Sequence, residues 1–434
     1  MKIIRMLFIL CSGIAFSQNY MPIDTADKNK REEAASLFSE SGKKFIESLK
    51  KEYSGKELKL LVKEFEEFNK EFKEEIKEGN FCYDSRFTDY AAKILEKLRV
   101  NNSSIPQNLN LLISKDPSLN AFCLPDGTFV LNMGLFYWMD NEDQIASVLS
   151  HELSHNMLNH SLRKQVGIVR ERLSSTNKEK IKEIKKQKYN RSQAALDLYK
   201  NRLYAAGESS KKDEYQADSL GYVLMKKSPY NEGAFLGALE LMAKYDSIRP
   251  KGLEDEIYKK IFNLPNQPFK DEWLKKEDFS QYDYSLYKEK INKDSVSTHP
   301  EIEFRIARLK SEFSELNSDF KKSTPNEEFK GLEKIAGYER VPSLYFFEQY
   351  GVGIYLCLYQ LQNNPEDTYY TEWLGKCFEK IYEGRKNYKL NRYLAKINPK
   401  NQSESYQQFL NFMWNLSLDE IKNISDYYNK KAPQ

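Results

Sequence analysis

Two of the four histidines of this chain stand four residues apart, on either side of a glutamate, in the run His151-Glu-Leu-Ser-His155. On an α-helix this spacing places both imidazoles on one face, one turn apart. They can then occupy two corners of a zinc tetrahedron, and Glu152 lies where a carboxylate can take a proton from water held by the metal. The pattern is a known metalloprotease signature. The alternative is a surface helix that carries two histidines by accident.

The residues around this motif predict a buried helix. Residues 140–143 are acidic or amide side chains that suit a helix start. A wide apolar stripe follows, formed by Ile145, Ala146, Val148, Leu149, Leu153, Met157 and Leu158. Two neutral imidazoles and a carboxylate on a buried helix are costly unless something pairs with them, and a metal ion would do so.

A second pair of side chains supplies a candidate third ligand. Glu214 and Asp218 are also four apart, within a predicted helix over residues 213–221. Glu214 can complete a site of two histidines and one glutamate with a fourth position open for water. Asp218 can accept the free ring N–H of a ligating histidine, and Gly221 would let the two helices approach closely. Such acidic pairs are usually solvated, but the position of this one after the histidine motif favours the metal site.

Together with other motifs in the same order, these residues resemble zinc metallopeptidase family 48. The family includes the CaaX prenyl proteases, HtpX and soluble exported proteases such as BepA. The resemblance covers residues 82–310. Its further motifs are Asp84-Ser-Arg-Phe-Thr-Asp-Tyr90, Asn120-Ala-Phe-Cys-Leu-Pro-Asp-Gly127, Val130-Leu-Asn-Met-Gly-Leu135, Glu214-Tyr-Gln-Ala-Asp218 and Thr298-His-Pro300 with Arg305-Ile306. It implies an α+β, mainly helical fold: a zincin-like (gluzincin) domain with a small mixed sheet, plus helices at both ends.

The resemblance also implies roles for individual residues. His151, His155 and Glu214 would bind one zinc ion per chain, Glu152 would be the general base, and Asp218 would pair with Arg305. His299 would lie across the cleft, where it either stabilises the tetrahedral oxyanion or caps the metal in a latent form; an ordinary loop histidine is the alternative.

His160 follows His151 by nine residues, which is two and a half turns of a continuous helix. On such a helix His160 would lie off the face that carries the two ligands. We expect His160 to mark the end of the motif helix and not to bind the metal.

A protease of this kind would bind its substrate extended along an edge strand, through main-chain pairing. The candidate strands carry Asn120, Ala121 and Phe122, or Phe129, Val130 and Leu131. Either could instead be an ordinary core strand. The predicted function is therefore zinc-dependent hydrolysis of polypeptides, including misfolded envelope proteins. The alternative is a chaperone or partner-binding helical module whose metal site is latent or regulatory.

The N-terminal residues predict export. Residues 1–5 are positively charged, residues 6–16 are apolar but too few to span a bilayer, and Ala15 and Ser17 suit cleavage before Gln18. No later stretch is long and apolar enough to cross a membrane. We expect a periplasmic or secreted protein with a signal peptide over residues 1–17; an uncleaved signal anchor is the alternative.

Composition excludes some classes of function. Hydrophobic residues make up 40% and charged residues 30% of the chain, and the net charge is only +3, so no basic field indicates nucleic-acid binding. Cys82, Cys123, Cys357 and Cys377 have no Cys-x-x-Cys spacing and do not predict a zinc site. Two disulfides are optional in an exported chain of this size, and Cys123 is expected to be a buried thiol.

The pattern along the chain predicts three further regions, the second of which carries two inserts. Residues 18–80 form charged amphipathic helices, and residues 81–310 form the metallopeptidase domain. Its insert at 161–212 is expected to be a solvated helical hairpin or a lid, and its insert at 249–295 could line the cleft or gate His299. Residues 338–434 form a C-terminal helical domain, either tetratricopeptide-like or plainly helical, that could bind a polypeptide partner.

Overall fold

The computed structural model describes residues 20–186, 191–247, 252–276, 302–398 and 402–431. Most of these residues are helical, and their strands form one small mixed sheet. The expected α+β, mainly helical fold is confirmed. Among the described residues, no helix combines the length and the apolar character that crossing a lipid bilayer requires.

The N-terminal region forms a helical hairpin of α1 (Lys28–Glu52) and α2 (Gly55–Glu78). The helices run antiparallel, since Phe38 packs against Phe72 near one end and Phe45 against Phe65 near the other. The base of this hairpin covers one face of the sheet, and its tip packs on helix α6 (His160–Leu173) through an apolar cluster that includes Leu49, Leu61, Val166 and Val169.

The sheet contains β1 (Phe81–Cys82), β2 (Asn110–Ser114), β3 (Ala121–Cys123) and β4 (Thr128–Asn132) in the spatial order β1-β2-β4-β3. β2 and β4 are parallel, and both outer pairs are antiparallel. Gly127, with a φ of 84°, makes the turn between β3 and β4. In this order β2 and β4 are interior strands, and β1 and β3 are the edge strands.

The other helices of this part of the chain are α3 (Ser85–Val100), α4 (Gly134–Trp138), α5 (Glu142–Met157), α6, α7 (Ser175–Lys186), α8 (Arg191–Lys226), α9 (Ala234–Ser247) and, later in the chain, α11 (Ile302–Glu312). The motif helix α5 lies at the centre and contacts α3, α8, α9 and β3. Its apolar residues Ile145, Leu149 and Leu153 are fully buried in this first core, and Met157 at its end is partly buried. The helix is therefore buried, as its wide apolar stripe predicts.

A second core lies in the C-terminal part. It contains α13 (Tyr350–Asn363), α14 (Thr368–Lys386), α15 (Leu390–Tyr393), α16 (Glu404–Asn415) and α17 (Leu418–Lys431). Helix α12 (Glu327–Phe346) joins the two cores: Phe329, Leu332 and Ala336 lie in the first, Val341 and Leu344 in the second. Helices α13, α14 and α16 lie within the region 338–434 that the sequence predicts to be helical.

The described part of the insert expected at 249–295 also belongs to the second core. It contains α10 (Asp255–Phe262) and a short 3-10 turn, and it buries Tyr258, Phe262 and Trp273 against the C-terminal helices. Residues 252–276 thus pack in that core. The remainder of the insert lies outside the described residues. The four described cysteines are buried thiols without a disulfide.

Candidate metal centre

Polar contacts anchor the start of the motif helix. The Asn141 side chain caps α5 by accepting the Gln144 N–H at 3.1 Å. Glu142 accepts hydrogen bonds from the hydroxyls of Tyr90 and Tyr230, at 2.7 and 3.0 Å, and from the Lys97 ammonium at 2.7 Å. The acidic start of the helix therefore fixes α5 to α3 and to the segment before α9.

Three side chains that can bind a metal ion converge near the C-terminal end of α5. The Nε2 atoms of His151 and His155 are 3.0 Å apart, and each lies 3.5 Å from a carboxylate oxygen of Glu214 on α8. Ligand atoms about 2.0–2.1 Å from a tetrahedral zinc ion lie roughly 3.3 Å from one another. Within the part of the chain that the structure describes, these three residues form the group whose donor atoms are close enough together to hold a metal ion. Without a metal ion, a proton between the two Nε2 atoms can hold them at this distance, and a bound cation would replace that proton.

Close packing of α8 on α5 is possible because residue 221 is glycine. A Cβ atom there would lie 3.1 Å from both Cα and N of His151, tighter than an ordinary contact. Gly221 therefore lets the backbone of α8 lie directly against the helix that carries the histidines, as the sequence predicts. Glu214, two turns earlier on the same face, reaches the site because of this approach.

Asp218 and Arg305 form a buried ion pair behind His151. Arg305 donates from Nε to Oδ2 of Asp218 at 2.8 Å and from Nη2 to Oδ1 at 2.6 Å, and its Nη1 lies 3.3 Å from Glu214. The same Oδ1 lies 3.0 Å from Nδ1 of His151. Burial acts to raise the pKa of Asp218, but the hydrogen bonds of Arg305 and His151 outweigh it and hold this pKa below its usual value. An anionic Asp218 keeps a proton on Nδ1 of His151 and turns Nε2 toward Glu214.

The two histidines have opposite pKa shifts. Burial, and then the positive charge of His151, lower the pKa of His155 to about 3. Burial also acts to lower the pKa of His151, but hydrogen bonds with Asp218 and Glu214 outweigh it and raise this pKa to about 10. His155 thus presents a neutral ring, while an ion bound at His151 would replace a proton.

Glu152 lies beside the three converging side chains and is partly exposed. Its charge reaches two groups on either side of the site. After burial, it is the largest contribution that raises the pKa of the Cys123 thiol on β3, and it also raises the pKa of Arg305. The Glu152 carboxylate is therefore near enough to both Cys123 and Arg305 to act on their charge.

The structure separates the two candidate substrate strands. Phe129, Val130 and Leu131 lie in β4, which pairs with β2 on one side and β3 on the other, and they are at most 1% exposed. Because β4 is paired on both sides, these three residues offer no free strand edge to an extended substrate. Asn120, Ala121 and Phe122 lie on or next to the edge strand β3, which packs beside α5, and Phe122 is 36% exposed.

Sequence reasoning missed the position of His160. Helix α5 ends at Met157, three residues before the end that the sequence predicts at His160, and Asn159 then adopts a left-handed conformation with φ 54° and ψ 34°. This turn brings His160, only 3% exposed, back against the ligand: its Nδ1 lies 2.8 Å from Nδ1 of His155. The expectation that His160 faces away was wrong because the helix is not continuous. The asparagine itself was the available signal, since Asn adopts this conformation more readily than most residues. His299 lies outside the described residues.

The profile of peptidase family M48 matches residues 85–313, more than half of the chain. A beta-barrel assembly-enhancing protease of Yersinia pestis is 35% identical over 81 residues, which are 19% of this chain and 17% of that protein. The metalloprotease YcaL of Escherichia coli K12 is 26% identical over 182 residues, 39% of this chain and 65% of that one. The mitochondrial metalloendopeptidase OMA1 of Schizosaccharomyces pombe is 31% identical over 77 residues, 18% of this chain and 23% of that protein.

The chain thus spans less than two thirds of the length of each of these relatives. The matched family region nevertheless contains the motif helix, α8 with Glu214 and Asp218, and Arg305 on α11. This agreement confirms the predicted enzyme class, a metallopeptidase. The chain belongs to peptidase family M48.

Proposed function

We propose that this protein is a zinc-dependent endopeptidase that binds one zinc ion through His151, His155 and Glu214. The observation that carries this proposal is the convergence of three ligating atoms within 4.8 Å of one another, with Glu152 on the same helix as the two histidines and the edge strand β3 alongside. Two imidazoles and one carboxylate form the ligand set typical of catalytic zinc. Bound zinc would polarise the scissile carbonyl and acidify the attacking water.

Glu152 is the general base in this proposal. It accepts a proton from the attacking water and delivers it to the nitrogen of the leaving amine. Arg305 and Asp218 hold His151 in the orientation that binds the ion. His299, whose role rests on the resemblance to the family, either stabilises the oxyanion or caps the metal.

The substrate pairs with the free edge of β3. In this ladder Asn132 donates to the carbonyl of Asn120 at 3.1 Å, and Leu124 donates to Thr128 at 2.8 Å. Residues 120 and 124 thus face β4, and the alternation of an antiparallel pair turns the main-chain groups of Ala121 and Cys123 outward. Main-chain pairing there binds an extended polypeptide with little regard to its sequence.

We further propose that the substrates are misfolded or misassembled proteins of the bacterial envelope. Residues 1–17 have the charge and apolar pattern of a signal peptide, which favours a periplasmic or secreted location. One matched relative is named a beta-barrel assembly-enhancing protease, which favours the same compartment. The C-terminal helices, plain or tetratricopeptide-like, would bind a protein partner.

Metal content and cleavage test this function together. Wild-type protein purified without chelator should contain close to one zinc per chain, and Glu214→Ala should lose most of it. Glu152→Gln should keep the zinc but lose cleavage of unfolded casein. Glu333→Gln, an exposed change on α12, serves as the matched control and should behave as wild type.

Two results would contradict the proposal. A folded wild-type protein without metal would exclude the zinc site, and full cleavage by Glu152→Gln would exclude the general base. A third result would instead support a chaperone: wild type and Glu152→Gln both prevent casein aggregation equally well, and neither cleaves casein.

A further inference from the structure

The two metal-binding histidines are held in different ways. The ring of His151 contacts a carboxylate directly, since its Nδ1 lies 3.0 Å from Asp218. Asp218 is in turn paired with Arg305. The ring of His155 contacts another imidazole, with Nδ1 2.8 Å from Nδ1 of His160. His160 in turn faces a carboxylate, because its Nε2 lies 3.7 Å from Oδ1 of Asp213, beyond hydrogen-bond distance but close enough for an electrostatic contact.

We propose that His160, supported by Asp213, is a positioning residue that fixes the ring orientation and the proton of His155 for metal binding. This inference rests on the proposed function, since it requires that His155 bind a metal ion. In this proposal neither His160 nor Asp213 binds the metal ion itself.

Proton counting determines the direction of each contact. A neutral imidazole carries one N–H, so a His155 ring that offers the lone pair of Nε2 to a metal carries its proton on Nδ1. That N–H donates to Nδ1 of His160, which must then be the unprotonated nitrogen. The proton of His160 lies on Nε2 and faces the Asp213 carboxylate, while Arg163 donates to that carboxylate at 3.0 Å. This series of contacts ends at Asp213 and Arg163, just as the contacts behind His151 end at Asp218 and Arg305.

The backbone places His160 for this contact. Asn159 turns the chain with a φ of 54° between α5 and α6, and His160 is the first residue of α6. Helix α6 is itself held by the N-terminal hairpin, through the buried Val166 and Val169 and an ion pair of 2.7 Å between Arg170 and Glu57. The imidazole therefore rests on a helix whose position other elements determine, and not on a free loop.

The contact also joins the two helices that carry the ligands. Asp213 directly precedes the ligand Glu214 on α8, whereas His160 contacts the ligand His155 of α5. Displacement of His160 would release the His155 ring and remove a link between α6 and α8. Loss of an outer contact of this type typically weakens metal affinity about 10-fold to 100-fold.

The test measures zinc affinity of the metal-free, full-length protein by competition with a chromogenic chelator. His160→Leu keeps the volume but offers no acceptor, and we expect it to weaken zinc binding about 10-fold to 100-fold. His160→Asn places a carbonyl oxygen near the position of Nδ1 and should restore most of the affinity. With cobalt(II) in place of zinc, His160→Leu should change the visible absorption bands, and His160→Asn should leave them close to wild type.

Asp213→Asn gives an independent test, because its side chain is 19% exposed and the change should not prevent folding. It should weaken zinc binding severalfold. Equal zinc affinity in wild type, His160→Leu and Asp213→Asn would overturn the inference while the proposed function stands. Equal losses in His160→Leu and His160→Asn, with lowered thermal stability of the metal-free protein, would also overturn it, since His160 would then be needed only for packing. A wild type that binds no zinc would overturn both proposals.

Discussion

The buried pair of Asp218 and Arg305 should be sensitive to a change of one atom. Oδ1 of Asp218 lies 2.6 Å from Nη2 of Arg305 and 3.0 Å from Nδ1 of His151, while Oδ2 accepts from Nε of Arg305 at 2.8 Å. In Asp218→Asn one of these oxygens becomes an NH2 group. Whichever side it occupies, a donor then faces a donor, and the Arg305 side chain, 8% exposed, loses its anionic partner. Breaking a buried pair in this way costs about 3 to 5 kcal/mol.

Urea unfolding of the metal-free protein measures this loss without a contribution from bound zinc. We expect the free energy of unfolding to fall by about 3 to 5 kcal/mol in Asp218→Asn and by much less in the exposed control Asp319→Asn. The double variant with Arg305→Met should recover part of the loss, because the unpaired guanidinium is removed. A loss below about 1 kcal/mol in Asp218→Asn, in the range of an exposed ion pair, would refute the view that this pair is a buried and mutually dependent unit.

Three further predictions concern the helix contact, the edge strand and the helix start. Gly221→Val adds atoms where a Cβ would already lie 3.1 Å from the His151 backbone; it should destabilise the protein by about 1 to 3 kcal/mol and weaken zinc binding, and unchanged zinc affinity would show that α8 does not need this approach. Ala121→Pro removes one outward N–H of β3 and should raise the KM for casein about threefold to tenfold without changing zinc content, whereas an unchanged KM would place the substrate elsewhere. Burial acts to raise the pKa of Glu142, but hydrogen bonds from Lys97, Tyr90 and Tyr230 outweigh it and lower this pKa below 4.5. The ionised Glu142 side chain therefore stabilises the folded protein above pH 4.5, and this contribution is lost as the pH falls through the pKa of the folded state. The difference in unfolding free energy between wild type and Glu142→Gln should therefore shrink from pH 7 to pH 3, and a constant difference would contradict this.

The N-terminal hairpin connects regions that are far apart in the sequence. Its base packs on the sheet beside β4, and its tip packs on α6, the helix that begins with His160. Charged contacts strengthen the tip: Arg172 and Gln165 both contact Glu64. The charged helices expected over residues 18–80 thus support the position of the metal-binding region as well as covering the sheet.

The C-terminal part is attached just as firmly. Helix α12 passes from the first core into the second without interruption, and the buried Glu339 on it accepts hydrogen bonds from the Tyr20 hydroxyl at 2.6 Å and from the Ile23 N–H at 2.8 Å. Tyr20 also stacks on Tyr338, with ring centroids 4.7 Å apart. The first residues that the structure describes are therefore held against the helix that joins the two cores.

Local spacing was enough to predict the central features of the site. His151, Glu152 and His155 belong to one helix, and so do Glu214, Asp218 and Gly221, and the period of a helix places such residues on a face whatever surrounds it. The pairing of the two helices was predicted from chemistry, because buried imidazoles and carboxylates need partners. The fold class and the family followed from several such motifs in a fixed order.

Tertiary structure decided what local spacing leaves open. The residues 120–123 and 128–131 are both short and largely apolar, and only the order of strands in the sheet makes β3 the edge and β4 the interior strand. One left-handed residue, Asn159, ends the helical period and returns His160 to His155, which no periodic pattern can predict. Residues 252–276 pack with the C-terminal helices because apolar side chains such as Phe262 and Trp273 are buried there. In each case the sequence specifies which groups need a partner, whereas the path of the chain in space determines which partner each one finds.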